Sequence, residues 1–475
     1  MLPTYCNPLS MPSCPRGTDR PMTREPYIPY RSISDPSALY YNGKFYLYPS
    51  YGMAWVSDNL ETWEYVPCEP YAKGPAYSPT VIPHRGRFYL TIHSDGLYVG
   101  DTPVGPFKAV GDFIMPDGTR LRPVDPALFE DTDGKPYLYW HSGTGNGIDM
   151  TDSWTYGAAL DPDDPQRVLT EPVIVNRLNT AHTWERFGQY NQDSRYGWIE
   201  GQHMLKYNGR YYLIYSGSGT QFSSYANGVY ISDNPLTGFR YQTRNPLTAH
   251  REGLIKGAGH GCVIEGPNGT LWAFYTTCVC AAHQFERRIG IDPVGVDENG
   301  ELYCTVTDTP QYAAGVLKNP ARGNTTGALP LTFFLRGNQY ATSQIYGRES
   351  FYALDENLST WWEPKPEDKT PALTVDLRAD YVVEGIRIAW RDVGLDYDAG
   401  ILPGPFGYRV DVTTDHTTES GWTTLLDCTD NTVDLNIDYR ATVPTRARAV
   451  RLTVTSHPRG ITPGVVSFTA FGRRT

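Results

Sequence analysis

Three carboxylates draw attention by their settings. Asp35 precedes the run PSALYY, Asp125 begins DPALFEDTDGKPYLY, and Glu200 lies in WIEGQHML. Each is an acid at the mouth of an apolar, strand-like stretch. Gathered in one cleft, such groups would repel and raise one another's pKa values, a cost that stability alone does not explain. Hydrolysis of a glycosidic bond does need them. One carboxyl must be protonated to donate to the leaving oxygen, and another ionised to activate water or attack the anomeric carbon. Glu200, preceded by Trp198 and Ile199, suits the acid, because desolvation keeps a carboxyl protonated near neutrality. Asp35 suits the base, and the charge of Asp125 would hold up the pKa of Glu200 and orient it or the sugar. Tyr77 and Trp184 would offer faces on which a sugar ring stacks.

These residues are far apart in sequence, so a repeating scaffold must bring them together. Five segments share a glycine turn followed by an aromatic-rich strand: YYNGKFYLYPS, PHRGRFYLTIHS, EDTDGKPYLYWHS, KYNGRYYLIYSG and GPNGTLWAFYTT. Their glycines, Gly43, Gly86, Gly134, Gly209 and Gly269, recur at intervals that fit a four-stranded propeller blade. Eight or nine residues before each stands a polar residue: Asp35, Ser78, Asp125, Glu200 and His260. In a propeller the innermost strands start near the axis, so these five positions should form a ring around a shallow cavity. Asp-Pro also occurs at 161, 164 and 292, where it reads as turn chemistry, with Asp292 in the outer hairpin of the fifth blade. The predicted fold is all-β: a five-bladed β-propeller over residues 1–325, followed by a β-sandwich over 331–475.

Composition agrees with this fold and narrows the partners. The chain has 475 residues, 35 tyrosines, 46 glycines and 38 prolines, which favours strands and turns over helices. A formal net charge of -11 argues against nucleic acid, whose phosphates need a basic face. No apolar run is long enough to span a bilayer as a helix, and no membrane insertion is expected. The N-terminus, MLPTYCNPLSMPSCPRG, lacks the pattern of a secretory signal, so a signal is either absent or already removed. Eight cysteines are too sparse for a disulfide scaffold. Cys278 and Cys280 with His283 lack a second zinc-spaced pair and read as buried thiols.

These motifs resemble glycoside hydrolase family 43, five-bladed propeller enzymes that release mainly arabinofuranose, xylose or galactose units. The resemblance rests on Ser34-Asp35-Pro36 opening blade one, on DPALFEDTDGKPYLY from Asp125 in blade three, and on Ile199-Glu200-Gly201 opening blade four. It implies Asp35 as base, Asp125 as pKa modulator, Glu200 as general acid, and inversion at the anomeric carbon. Arg287 in FERRIGIDPV matches a family arginine that binds sugar hydroxyls, with Arg288 facing the other way. His260 in GAGHGC matches a histidine that helps hold a calcium ion through water in many members, and reads equally as a backbone-capped turn histidine. No cofactor is required for the chemistry. The partner implied is an oligo- or polysaccharide, and the expected location is secreted, periplasmic or cell-surface.

Gln202 stands where the family often has proline, and Tyr77-Ser78-Pro79 replaces Trp-Ala-Pro, so the sugar subsite departs from the family pattern. The insertion over 179–197, just before Glu200, should wall the pocket and favour removal of terminal sugars. An exo-acting α-L-arabinofuranosidase or β-D-galactofuranosidase is the expected activity. The alternatives are a β-xylosidase or β-galactosidase of the same family, or a propeller lectin, which would have no use for an acid and a base facing one bond. Beyond 331, the strand runs ALTVDL, VEGIRIAW, GYRVDVTT, ARAVRLTVT and VVSFTAFG, with Trp422, are similar to discoidin or coagulation factor 5/8 C-type modules. Such a module acts either in carbohydrate binding or as a structural buttress, and Asp355 to Thr360 lies where such modules often bind calcium.

Overall fold

In the computed structural model, the structure describes residues 1–12, 31–50, 52–68, 76–144, 151–279 and 284–475. Cys280 and His283 lie outside the described residues. Five four-stranded antiparallel sheets follow one another along the chain, each hydrogen-bonded in sequence order. Their innermost strands are Ser37–Tyr41, Thr80–His84, Val124–Glu130, Ile199–Tyr207 and Gly259–Glu265. These strands are also neighbours in space, the fifth packing back against the first. The predicted five-bladed propeller is the fold.

The strands carry apolar residues on both faces because each blade lies between two others. Along Lys44–Tyr48, Phe45 and Leu47 turn toward blade five, where they meet Trp272 and Phe274, while Tyr46 and Tyr48 turn toward Phe88 and Leu90 of blade two. Successive strand side chains point to opposite faces, so a blade buried on both sides reads as a nearly continuous apolar run. Further clusters fill the junctions between blades two and three, three and four, and four and five.

Each blade supplies its own four strands, so the ring closes by packing between blades one and five and by a separate N-terminal segment. Thr4–Tyr5 pairs with Gln311–Tyr312, and Leu9 N–H donates to the Ile289 carbonyl at 2.9 Å. Asn7, fully buried, is the central fastener. Its Nδ2 donates to the carbonyls of Ile291 (2.8 Å) and Thr307 (3.0 Å), and its Oδ1 accepts from Ile291 N–H at 3.0 Å. Asp292 lies in the third strand of blade five, buried, taking hydrogen bonds from Tyr275 OH (2.7 Å) and Thr307 Oγ1 (2.5 Å). Burial pushes its carboxyl up to about 8.

The C-terminal region is a β-sandwich in which strands expected to be separate are continuous. Ala372–Val393 and Ile437–Ser456 each bend across the fold, with register shifts between Asp376 and Tyr381 and between Val383 and Gly385. Leu329–Pro330 already belongs to this sheet, paired with Phe471 and Gly472. Trp362, Leu373, Ile386, Tyr408, Leu452 and Phe468 lie in its core. The sandwich joins the propeller through an apolar cluster that includes Leu254 and Val279 on one side and Leu358, Trp361 and Ile437 on the other.

Replacing Asn7 by Ala would strand a buried N–H and two buried carbonyls. Unpaired buried groups of this kind cost about 1–3 kcal/mol each. The Asn7→Ala variant is therefore expected to lose about 3 kcal/mol of stability, read as a lowered denaturation midpoint.

Candidate active site

At the start of each innermost strand the backbone enters the left-handed region. Asp35 (φ 53°), Ser78 (47°), Asp125 (44°), Gly201 (58°) and His260 (32°) occupy equivalent places, and all five line one small axial cavity. Blade four thus departs from the expected alignment. Gly201, rather than Glu200, holds the axial position, because blade four turns between Tyr207 and Arg210 as tightly as blades one and two, whereas the longer hairpins of blades three and five set Asp125 and His260 one residue further from their glycines. Glu200 comes one residue earlier, paired with Ser216, and its carboxyl leaves the axial ring. Glycine suits Gly201 for a second reason: a Cβ there would lie 2.8 Å from the His260 ring.

Asp35 is held on all sides. Its Oδ2 accepts from Ser50 Oγ (2.7 Å) and Ser34 Oγ (2.9 Å), while its Oδ1 faces Arg287 at 3.2 Å and His260 Nδ1 at 3.6 Å. Burial opposes its charge most, but Arg287, His260 and the two hydroxyls together outweigh burial and hold its pKa below the usual carboxylate range. Asp125 accepts from Ser78 Oγ (2.9 Å) and His93 Nδ1 (2.8 Å). Burial again opposes ionisation, and His93, aided by His260, keeps Asp125 well below the ordinary value.

Glu200 behaves in the opposite sense. Its Oε1 accepts from Tyr225 OH (2.6 Å) and its Oε2 from Trp198 Nε1 (2.8 Å). Burial and then the charge of Asp125 raise its pKa, against the smaller lowering effects of His260, Tyr225 and Trp198. Environments that push carboxyl pKa values apart create an acid and a base at one pH. His260 acts on all three carboxylates, and all three act on His93.

Arg287 is buried, donating also to Thr220 Oγ1 at 3.1 Å. Arg288 turns outward as expected, to the Arg31 carbonyl (2.7 Å) and to Asn436 of the sandwich. Arg31 forms a two-pronged pair with Asp392 at 2.7 and 2.8 Å and meets Asp434 at 2.6 Å. Tyr77 is half-buried, edge-on to His93 with ring centroids 6.2 Å apart.

Trp184 corrects the sequence reading. It is buried with Ile199, Tyr215 and Ala226, its ring lies against Gly217 and Gly228, and its Nε1 donates to Tyr241 OH at 2.8 Å. No face is left for a sugar. The insertion around it is anchored instead by buried Glu185, which accepts from His182 Nδ1 and Tyr215 OH, both at 2.7 Å. The Glu185 carbonyl in turn receives Trp198 N–H at 3.1 Å, so the loop supports the segment that carries Glu200.

Sequence reasoning missed a second polar ring. Seven residues after each hairpin glycine stand Ser50, His93, His141, Ser216 and Thr276. Ser50 and His93 hold Asp35 and Asp125, Ser216 Oγ accepts His260 N–H (2.6 Å), and Thr276 Oγ1 accepts Asp35 N–H (2.8 Å). His141 packs on Trp198 at 4.6 Å, and burial pushes its imidazole down to about 4, so it is neutral. Counting forward from the same glycines would have found all five.

The axial cavity, about 20 Å³, has room for a single water. Among the described residues, no three metal-ligating side chains converge. Calcium takes six to eight oxygens, which His260 and its neighbours do not by themselves supply.

Residues 23–302 match the family model Glycosyl hydrolases family 43, and residues 338–464 match F5/8 type C domain. The chain is similar to Xylosidase/arabinosidase 43A of Humicola insolens, 26% identical over 347 residues, covering 60% of this chain and 99% of the relative. It is also similar to Beta-D-galactofuranosidase xynD of Aspergillus niger, 24% identical over 306 residues, covering 57% of this chain and 81% of the relative. A crystal structure of a thermostable family-43 glycoside hydrolase shares the fold, with a TM-score of 0.52 and 24% identity over 65% of this chain and 98% of that one.

Two substitutions test this geometry. Tyr225→Phe removes a hydrogen bond that favours ionised Glu200, so its pKa rises and any activity that needs the protonated carboxyl persists to higher pH; the alkaline limb of the pH–rate profile is the measurement. Trp184→Ala empties a core site, and a loss of about 3–5 kcal/mol in denaturant unfolding is expected.

Proposed function

The chain belongs to glycosyl hydrolases family 43, and from that premise we propose that it is an exo-acting enzyme removing terminal furanose units, α-L-arabinofuranosyl or β-D-galactofuranosyl, from glycans. It is a glycoside hydrolase that acts with inversion, on oligo- or polysaccharide. In the proposed mechanism Asp35, ionised and fixed by Arg287, takes a proton from a water as that water attacks the anomeric carbon. Glu200 gives its proton to the leaving oxygen from the other side of the sugar. Asp125 keeps Glu200 protonated by its charge, and its own charge is sustained by His93. Arg287, already tied to Asp35, would also reach a hydroxyl of the released sugar.

One observation carries this reading: three carboxyls that begin inner strands or stand beside their axial ends have pKa values driven in opposite directions, Asp35 and Asp125 down and, partly by the charge of Asp125, Glu200 up. The one-residue offset of Glu200 from the axial ring supports it further, because an inverting pair must leave room for a sugar and a water between acid and base. The named activities of the two fungal relatives support a furanose substrate. The first of those names also keeps a β-xylosidase as the second reading.

A panel of nitrophenyl α-L-arabinofuranoside, β-D-galactofuranoside and β-D-xyloside decides between them, with the furanosides expected to turn over fastest. On an oligosaccharide carrying the preferred sugar, whose alcohol leaving group needs a proton, Asp35→Asn and Glu200→Gln should each lower kcat by at least about a hundredfold, the scale of general acid–base catalysis, with unchanged melting curves. Appreciable turnover by either variant would remove the assignment of roles.

A further inference from the structure

Of the five residues of the second polar ring, His93 is the one that is not buried, and it has a ring nitrogen left over. Ser50 Oγ is used by Asp35 and by Ser78 N–H (3.1 Å), Ser216 by His260 and Asn227, and Thr276 by Asp35 and the His260 carbonyl. His141 is buried, with its Nδ1 unpartnered beneath Trp198. The His93 side chain is 32% exposed, its Nδ1 is committed to Asp125 at 2.8 Å, and its Nε2 has no partner among the described residues.

The ring is also fixed in place. His93 N–H donates to the Tyr77 carbonyl at 2.9 Å, and Ser94 N–H donates to the Pro123 carbonyl at 2.7 Å. The Tyr77 ring meets the imidazole edge-on. Burial lowers the His93 pKa, but Asp125 above all, then Glu200 and Asp35, raise it beyond the ordinary value, and the Nδ1 bond to Asp125 holds the partly exposed ring beside that carboxylate. A preorganised side chain with one free polar atom at the edge of a pocket is how a few polar groups fix ligand orientation.

We propose that His93 is a sugar-binding residue, its Nδ1 holding Asp125 while its Nε2 edge hydrogen-bonds a hydroxyl of the glycosyl unit in the pocket. This rests on the functional reading above. The two nitrogens then have separable tasks. When ionised the ring offers Nε2–H to a hydroxyl oxygen, and when neutral, with its proton on Nδ1, it accepts from a hydroxyl hydrogen. A sugar hydroxyl can answer either, so the contact persists across the protonation change.

Two isosteric replacements separate the tasks. His93→Asn retains a donor near Nδ1 and removes Nε2; His93→Gln retains a polar group near Nε2 and removes Nδ1. With the full chain and the nitrophenyl glycoside that the unsubstituted enzyme cleaves best, His93→Asn should raise KM about tenfold, the worth of a strong single hydrogen bond, with kcat within about threefold. His93→Gln should keep KM near that of the unsubstituted enzyme while shifting the pH profile, because Asp125 loses its tether. A purely structural His93 would give the reverse pattern.

Imidazole nitrogen NMR of the unsubstituted, ¹⁵N-histidine-labelled chain needs no variant to fold. Adding L-arabinose or D-xylose should move the Nε2 resonance of His93 and leave its Nδ1 nearly still. A KM within twofold in His93→Asn, or an unmoved Nε2 signal at saturating sugar, overturns the proposal. Absence of turnover on every glycoside would instead strike the functional reading on which it stands.

Discussion

The site depends on a backbone constraint repeated five times. At the start of each innermost strand, one residue adopts positive φ, which turns the chain sharply at the propeller axis. For any residue but glycine this conformation costs about 1–2 kcal/mol. Asp and His tolerate it better than most side chains, whereas Ser has less excuse. Four of the five positions bear that cost, and each has side-chain or backbone bonds that over-determine it: Asp35 through Ser34, Ser50 and Arg287, Ser78 and Asp125 through each other, His260 through Ser216 and Thr276. Strain of this kind persists where the surroundings enforce it. Blade four escapes the cost with glycine and moves its carboxylate to the preceding residue.

That local choice shapes the electrostatics. Three acids on one ring would each raise the others' pKa values. Instead Asp35 has Arg287 and Asp125 has His93 within hydrogen-bond reach, while Glu200, off the axis, is hydrogen-bonded by the neutral donors Tyr225 and Trp198. His260 lies between the two sets, its ring resting on the bare Cα of Gly201.

The number of blades, the order of the carboxylates and the sandwich were all legible because they depend on periods visible in one dimension: a glycine hairpin every blade, and alternation within each strand. The alignment of Glu200 failed by one residue because hairpins differ in length: the tight turn of blade four puts the axial residue eight before its glycine, the longer turns of blades three and five put it nine before theirs. Trp184 misled for another reason: an aromatic residue in a polar insertion looks exposed, yet Gly217 and Gly228 on the neighbouring strands make a slot that its ring fills. His93 was readable by the same counting that found Asp35, applied forward instead of backward. Its free Nε2 was not, since that follows from which of its neighbours are already satisfied.

The paired arginines have an implication for how this chain can be taken apart. Ile33 N–H donates to the Arg287 carbonyl at 3.0 Å, so two short segments run side by side. Their inner side chains are Asp35 and Arg287, and their outer ones are Arg31 and Arg288, gripped by Asp392, Asp434 and Asn436. An appended module ordinarily travels between proteins as an independent cassette, attached through a linker and indifferent to its host. Here the second unit is keyed to the back of the very segments that present Asp35 and Arg287, so an exchange by recombination would have to carry both halves of the lock. Lineages that keep this arrangement would be expected to inherit propeller and sandwich as one piece.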